Sequence, residues 1–165
     1  MEKTTSHVTL PPPEEASPQD VLFLAELAKL LDLSDDPVTH FSAIIVKDGV
    51  ILATGTNRLP LGVQALPARL TRPEKYFWIE HAERHAILAA AKSGQALAGT
   101  TMYAQCMPCI ECCRAAAVAG ITTIVADYGM TIGYTQSGTH WVEGFKRSAQ
   151  LLEEAGVKLR LVNAG

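Results

Sequence analysis

Apolar positions first fall into step near Val21, where Val21, Leu22, Leu24, Ala25, Ala28 and Leu31 recur at the three- and four-residue spacing of an amphipathic helix. Ser17 stands as an N-cap before it and Pro18 as a first helical residue, so a helix is predicted from Ser17 to near Ser34. Residues 1–16, with Pro11-Pro12-Pro13 followed by Glu14-Glu15, have no period and read as a mobile tail or an extended arm. Two β-rich runs then flank Asp48-Gly49, His40 to Lys47 and Val50 to Ala53, which is a hairpin signal. The first two strands are therefore predicted to be antiparallel.

The segment from Arg58 to Ile79 breaks the pattern with Pro60, Pro67 and Pro73, carries Arg69, Arg72 and Lys75, and ends in Tyr76, Phe77 and Trp78. A loop of that length inside a compact domain is more often functional than idle. It is expected to form one wall of a pocket. Beyond it, His81 to Ser93 reads as a buried, alanine-rich helix closed by Gly94, Thr100 to Ala104 as a strand, and Cys109 to Ala119 as a helix stopped by Gly120. Ile121 to Ala126 reads as the next strand, His140 to Ala155 as the last helix and Val157 to Val162 as the last strand. Residues 127–138 show no clear pattern. The order α-β-β-α-β-α-β-α-β gives an α/β domain over residues 17–165, with parallel crossovers in its second half.

Composition narrows the class. Hydrophobic residues make up 48% of the chain and charged residues 19%, as in a globular domain with a real core. No apolar run approaches the roughly 20 residues of a membrane span, and the first residues lack signal-peptide architecture, so a cytoplasmic protein without membrane contact is expected. A net charge of −3 offers no basic surplus for gripping phosphates along a nucleic acid; a small molecule is the simpler partner.

The chemistry is concentrated in His81-Ala82-Glu83 and Pro108-Cys109-Ile110-Glu111-Cys112. Cysteines at i and i+3 place both sulfurs on one side of a first helical turn, one that Pro108 is suited to open, and the positive end of the helix favours thiolates there. His81 supplies a third ligand, which is the number a catalytic zinc takes while leaving one corner open. Glu83 is not needed as a fourth ligand and is placed to carry protons. The competing reading is a closed structural zinc knot, with Cys106 or Cys113 as the fourth thiolate.

His-x-Glu followed by Pro-Cys-x-x-Cys resembles the cytidine and deoxycytidylate deaminase superfamily. The resemblance spans roughly residues 40–126, and Thr54-Gly55-Thr56-Asn57, Leu59-Pro60, Gly62-Val63 and Pro73-Glu74-Lys75-Tyr76 look like its deoxycytidylate branch. It implies a three-layer α/β/α sandwich on a five-stranded mixed sheet, and an oligomer. The implied reaction is attack of a zinc-activated water on an amino-bearing ring carbon, with Glu83 as proton carrier. It further implies that Asn57 hydrogen-bonds a nucleoside and that the backbone at Ala82 meets the base. This chain departs from the family at Arg58, usually glycine, and at His85, usually asparagine. Both are candidates for substrate choice, and Trp78 for stacking on a flat ring. Arg58, Arg69, Arg72, Lys75 and Arg84 are the candidates to hold a phosphate. Alternatives left open are a free base, purine or pterin as substrate, an RNA-editing deaminase, and a non-catalytic zinc-stabilised module.

Overall fold

A computed structural model describes residues 10–163. Its elements in chain order are β1 (Glu14–Glu15), α1 (Pro18–Ala28), β2 (Ser42–Lys47), β3 (Val50–Thr56), α2 (Pro67–Leu70), α3 (Lys75–Trp78) and α4 (Ala82–Lys92), then β4 (Thr101–Ala104), α5 (Ile110–Val118), β5 (Thr123–Asp127), α6 (Tyr128–Ser137), α7 (Thr139–Glu154) and β6 (Lys158–Asn163). The sheet order is β1-β6-β5-β4-β2-β3. Strand β2 is antiparallel to β3 and to β4, while β4, β5, β6 and β1 run parallel. Consequently β3 points the same way as β4, and both release the chain at one end of the sheet. No helix among the described residues is long and apolar enough to cross a membrane.

The sheet has six strands where five were predicted. The extra one is β1, whose Glu14 and Glu15 pair with Val162 and Asn163. Two exposed acidic residues carry no period-two signal, so the strand was not legible; tertiary contacts fix it. Arg160 donates to Glu14 at 2.8 Å and, through two further N–H groups at 3.1 and 3.0 Å, to the Asp20 carboxylate. Asp20 also closes the capping box with Ser17 predicted at the start of α1 and accepts from the Tyr103 hydroxyl at 3.1 Å. Burial pushes the Asp20 carboxyl up, but Arg160, Ser17 and Tyr103 together hold it below its ordinary value.

Strand periodicity divides the core. Ala43, Ile45, Met102 and Ile124 face α4, α5 and α7, where they meet Ala82, Ala86, Ala116 and Leu152. Ile44, Val46, Tyr103 and Val125 face the other way, onto Phe23 and Leu27 of α1. This alternation is the pleat of a sheet covered on both faces. Helix α1 stops at Ala28, shorter than predicted, and the chain tightens into a single 3-10 turn at Leu31–Leu33. The hairpin at Asp48-Gly49 has both residues at positive φ, 50° and 78°, as a tight two-residue turn requires.

The close approach of α4 to the sheet depends on Gly55. A Cβ there would lie 2.1 Å from the Ala82 carbonyl oxygen and 2.4 Å from the Ala86 nitrogen, both backbone atoms of α4. Alanines on α4 and a missing side chain on β3 together let helix and strand pack at backbone distance.

Candidate active site

The two metal-motif segments are delivered by the two chain exits at the same end of the sheet. His81 is the N-cap of α4 and Cys109 the N-cap of α5, with extended backbone at both, and neither makes a side-chain capping bond to its own helix. Their side chains turn to each other instead. Helix α5 starts two residues after Pro108, so Cys109 sits at the cap and Cys112 in the first turn, not both within the helix as predicted. The Nδ1 of His81 lies 3.6 Å from each sulfur, and the sulfurs are 3.5 Å apart.

That triangle fits zinc. Tetrahedral bonds of about 2.3 Å to sulfur and about 2.0–2.1 Å to nitrogen put sulfurs about 3.8 Å apart and sulfur and nitrogen about 3.6 Å apart. The protonation pattern agrees with a cation site. Hydrogen bonds from Cys112 and then His81 hold the Cys109 thiol down to about 3, whereas its bond to Cys109 and burial push Cys112 far up. The His81 imidazole is held above its ordinary value by Cys109. Two proton donors, Cys112 and His81, crowd around one thiolate, an arrangement in which a divalent ion replaces shared protons. Cys106 and Cys113 are buried outside the three-donor cluster, which speaks for an open site over a closed knot. Zinc-loaded protein is expected to carry one ion per chain by metal analysis, and Cys112→Ser to carry less than about a tenth of that, since a site reduced to His81 and one thiolate lacks the three protein ligands of a catalytic zinc; full retention would remove Cys112 from the site.

Glu83 is the second residue of α4 and is buried, with its carboxylate 3.4 Å from the Cys112 sulfur. Burial pushes its carboxyl above the ordinary range, so it holds a proton more readily than an exposed glutamate. It faces a cavity of about 360 Å³ together with His81, Cys109 and Asn57, a size within the range of small-molecule sites. Phe41, Tyr134 and Trp141 form an aromatic wall, with ring centroids 5.6 Å apart for the first pair and 5.2 Å for the second.

Other residues singled out in the sequence are scattered. Asn57 lines the cavity, but its Oδ1 accepts from the Ala82 N–H at 3.0 Å and its Nδ2 donates to the Thr39 carbonyl at 2.9 Å. Ala82 is fully buried. Arg58, Trp78 and His85 lie off the cavity lining. Arg58 pairs with Asp35 at 3.5 Å, Trp78 packs under the Arg69 guanidinium at 4.1 Å, and His85 Nδ1 sits 3.1 Å from both the N–H and the carbonyl of Thr56. Arg84 donates to Glu80 at 2.6 Å and to Glu111 at 2.7 Å, clasping α4 to α5 instead of meeting a ligand. Of the five basic candidates only Arg72 and Lys75 reach the cavity. The segment predicted as a wall reaches the cavity through Arg72, Lys75, Tyr76 and Ile79, on and beside the short helix α3, while α2 adds no lining residue.

Sequence reading missed Asp36, Thr39, Phe41, Met107 and Tyr134 in the lining. Tyr134 comes from α6, an element with no legible periodicity. Its one local signal is Asp127, an N-cap whose Oδ1 accepts from the Met130 N–H.

A mixed sheet whose chain exits converge on two cysteine sulfurs and an imidazole spaced to hold a metal ion, with a buried carboxylate beside them, presents the donor set used by metal-dependent hydrolytic enzymes. The profile of the cytidine and deoxycytidylate deaminase zinc-binding region matches residues 17–128. ComE operon protein 2 of Bacillus subtilis is 32% identical over 144 residues, which cover 85% of this chain and 69% of that protein. The deoxycytidylate deaminase of enterobacteria phage T2 is 47% identical over 45 residues, only 27% of this chain and 24% of that one. Among solved structures, the dCMP deaminase of cyanophage S-TIM5 in complex with dCMP and dUMP superposes with a TM-score of 0.66 at 24% identity, covering 88% of this chain and 98% of that one. The chain belongs to the cytidine and deoxycytidylate deaminase family. Its reaction class is hydrolysis of a C–N bond, and zinc is the metal the family implies.

Proposed function

We propose that this chain deaminates a cytosine nucleotide or nucleoside, replacing the amino group on the ring carbon by oxygen and releasing ammonia. The observation that carries the reading is the buried Glu83 carboxylate, which lines the cavity beside the His81, Cys109 and Cys112 donors. The chemistry a zinc ion supplies when bound there is activation of a water as nucleophile. Glu83 would accept one proton from that water and deliver it to the ring nitrogen, then carry the second proton, from the hydroxyl the ring carbon has gained, to the amino group, which leaves as ammonia as the C–N bond breaks and the C=O bond forms. Burial suits the carboxylate to this carrier role, because it raises proton affinity against the opposing charge of His81. Phe41, Tyr134 and Trp141 offer the flat ring an apolar wall.

The cytosine reading is supported by the local identity to the phage deoxycytidylate deaminase. A phosphate on the substrate would find Arg72 at the cavity. Arg72 is exposed, lines the cavity and has no carboxylate partner among the described residues, whereas Lys75 is paired with Asp36. The test is ammonia release from free bases, nucleosides, 5′-monophosphates and pterins with zinc-loaded protein. Turnover is expected with the cytosine nucleosides or monophosphates; turnover of bare rings alone would overturn the reading. Arg72→Gln is expected to raise KM for the cytosine monophosphate by about 10- to 100-fold, as loss of a hydrogen bond to a charged group does, and to leave KM for the nucleoside nearly as it was. Equal changes for both substrates would remove Arg72 from phosphate recognition.

A further inference from the structure

The cavity wall holds a buried ion pair that the reaction does not use. Lys75 and Asp36 side chains are 5% and 4% exposed, with Nζ 2.7 Å from Oδ2. The ammonium also donates to the Thr39 hydroxyl at 3.2 Å. The other Asp36 oxygen accepts from the backbone N–H groups of Val38 and Thr39 at 2.9 and 3.0 Å, which fixes the turn between them. From that turn the chain of contacts runs inward. The Thr39 carbonyl accepts from Asn57 Nδ2, and Asn57 Oδ1 accepts from the N–H of Ala82, the residue between His81 and Glu83.

These two bonds give the Asn57 carboxamide one orientation. Turned over, it would set N–H against N–H at Ala82 and carbonyl against carbonyl at Thr39. In the observed orientation one Nδ2 hydrogen goes to Thr39, and the second is uncommitted on a residue that lines the cavity. A buried ion pair is a poor source of stability, since apolar replacements of similar volume often fold as well. Its use here is geometric: Lys75 arrives from α3, Asp36 from the segment before β2, and their pairing, together with the Lys75 bond to Thr39, ties the loop wall to the turn that holds Asn57.

We propose that Lys75 and Asp36 are positioning residues, which hold Thr39 and through it aim the Asn57 amide at the substrate. The inference rests on the deamination reading above and adds to it the device that presets one substrate contact. Lys75→Met is expected to raise KM about 10-fold, as loss of one aligned hydrogen bond does, with a smaller fall in kcat per zinc-loaded chain. A pair serving stability alone would reduce the active fraction and leave KM where it was. The decisive comparison is a cycle with Asn57→Ala: the doubly substituted protein should show a KM no higher than Asn57→Ala by itself. A Lys75 effect that persists in full without Asn57 overturns the proposal.

A second readout needs no activity. The Asn57 side-chain amide signals, assigned by their loss in Asn57→Ala, should exchange slowly with water in the unaltered protein and at least about 10-fold faster in Lys75→Met, following the loss of one aligned hydrogen bond. Unchanged exchange overturns the proposal. Should Lys75→Met fail to fold, Asp36→Asn carries both measurements, because it keeps the bonds to Val38 and Thr39 while weakening the contact to Lys75. Silence of the unaltered enzyme on every substrate would instead sink the deamination reading, and the exchange measurement would still judge the positioning role.

Discussion

Glu83→Gln is expected to lower kcat by about a hundred- to ten-thousand-fold, the range that a positioned general acid and base contributes. Glutamine has the shape of glutamate and can still accept a hydrogen bond, so the substitution removes proton transfer and little else. Zinc content should stay near one per chain, because the three donors belong to His81, Cys109 and Cys112. Thermal stability should not fall, since the carboxylate is buried and lacks a hydrogen-bonded cation, and an amide costs less to desolvate. Steady-state rates on the preferred substrate, normalised to bound zinc, check all three points. Activity above about a tenth of the original would assign proton transfer to another group.

Gly55→Ala is expected to be the most damaging glycine-to-alanine change among the described residues. The added carbon would meet the Ala82 oxygen at 2.1 Å and the Ala86 nitrogen at 2.4 Å, and neither can yield unless the whole first turn of α4 moves. Overpacking against backbone costs about 3 kcal/mol or more, which lowers Tm by roughly 6–12 °C for a domain of this size. Because α4 carries His81 and Glu83, zinc affinity and kcat should fall with it. Gly144→Ala is the internal control. That glycine lies within α7, where an added Cβ meets nothing within 4 Å, and alanine should stabilise by about 0.4–1 kcal/mol. Calorimetry on the zinc-loaded proteins separates the two. A Gly55→Ala shift of under about 2 °C would mean that α4 slides without cost.

Legibility followed locality. The meeting of His81, Cys109 and Cys112, the place of Glu83 beside them and the hairpin were readable because each is specified within a few residues: His-x-Glu, Pro-Cys-x-x-Cys and Asp-Gly. The residues that complete the cavity were not, because what defines them is a contact between distant segments. Asp36 meets Lys75 across 39 positions, and neither has a local pattern announcing a partner. Helix α6 hid for a different reason. Gly129, Gly133, Thr131 and Thr135 lower its intrinsic propensity and interrupt its apolar stripe, so packing of Tyr134 between Phe41 and Trp141 decides its conformation. Arg58, Trp78 and His85 show the converse. They stand out in the sequence as departures or as aromatics, yet each is satisfied by a neighbour away from the cavity.

The short strand β1 also determines how far the sheet can grow. Without it, β6 would present a row of free backbone donors and acceptors, an invitation to pair with any extended chain nearby. Glu14 and Glu15 cover that row for only two residues, with the Glu14 carboxylate held by Arg160 and Glu15 exposed. A further strand arriving there would find too short a ladder to hold on to. The sheet is terminated at that side by its own N-terminal segment.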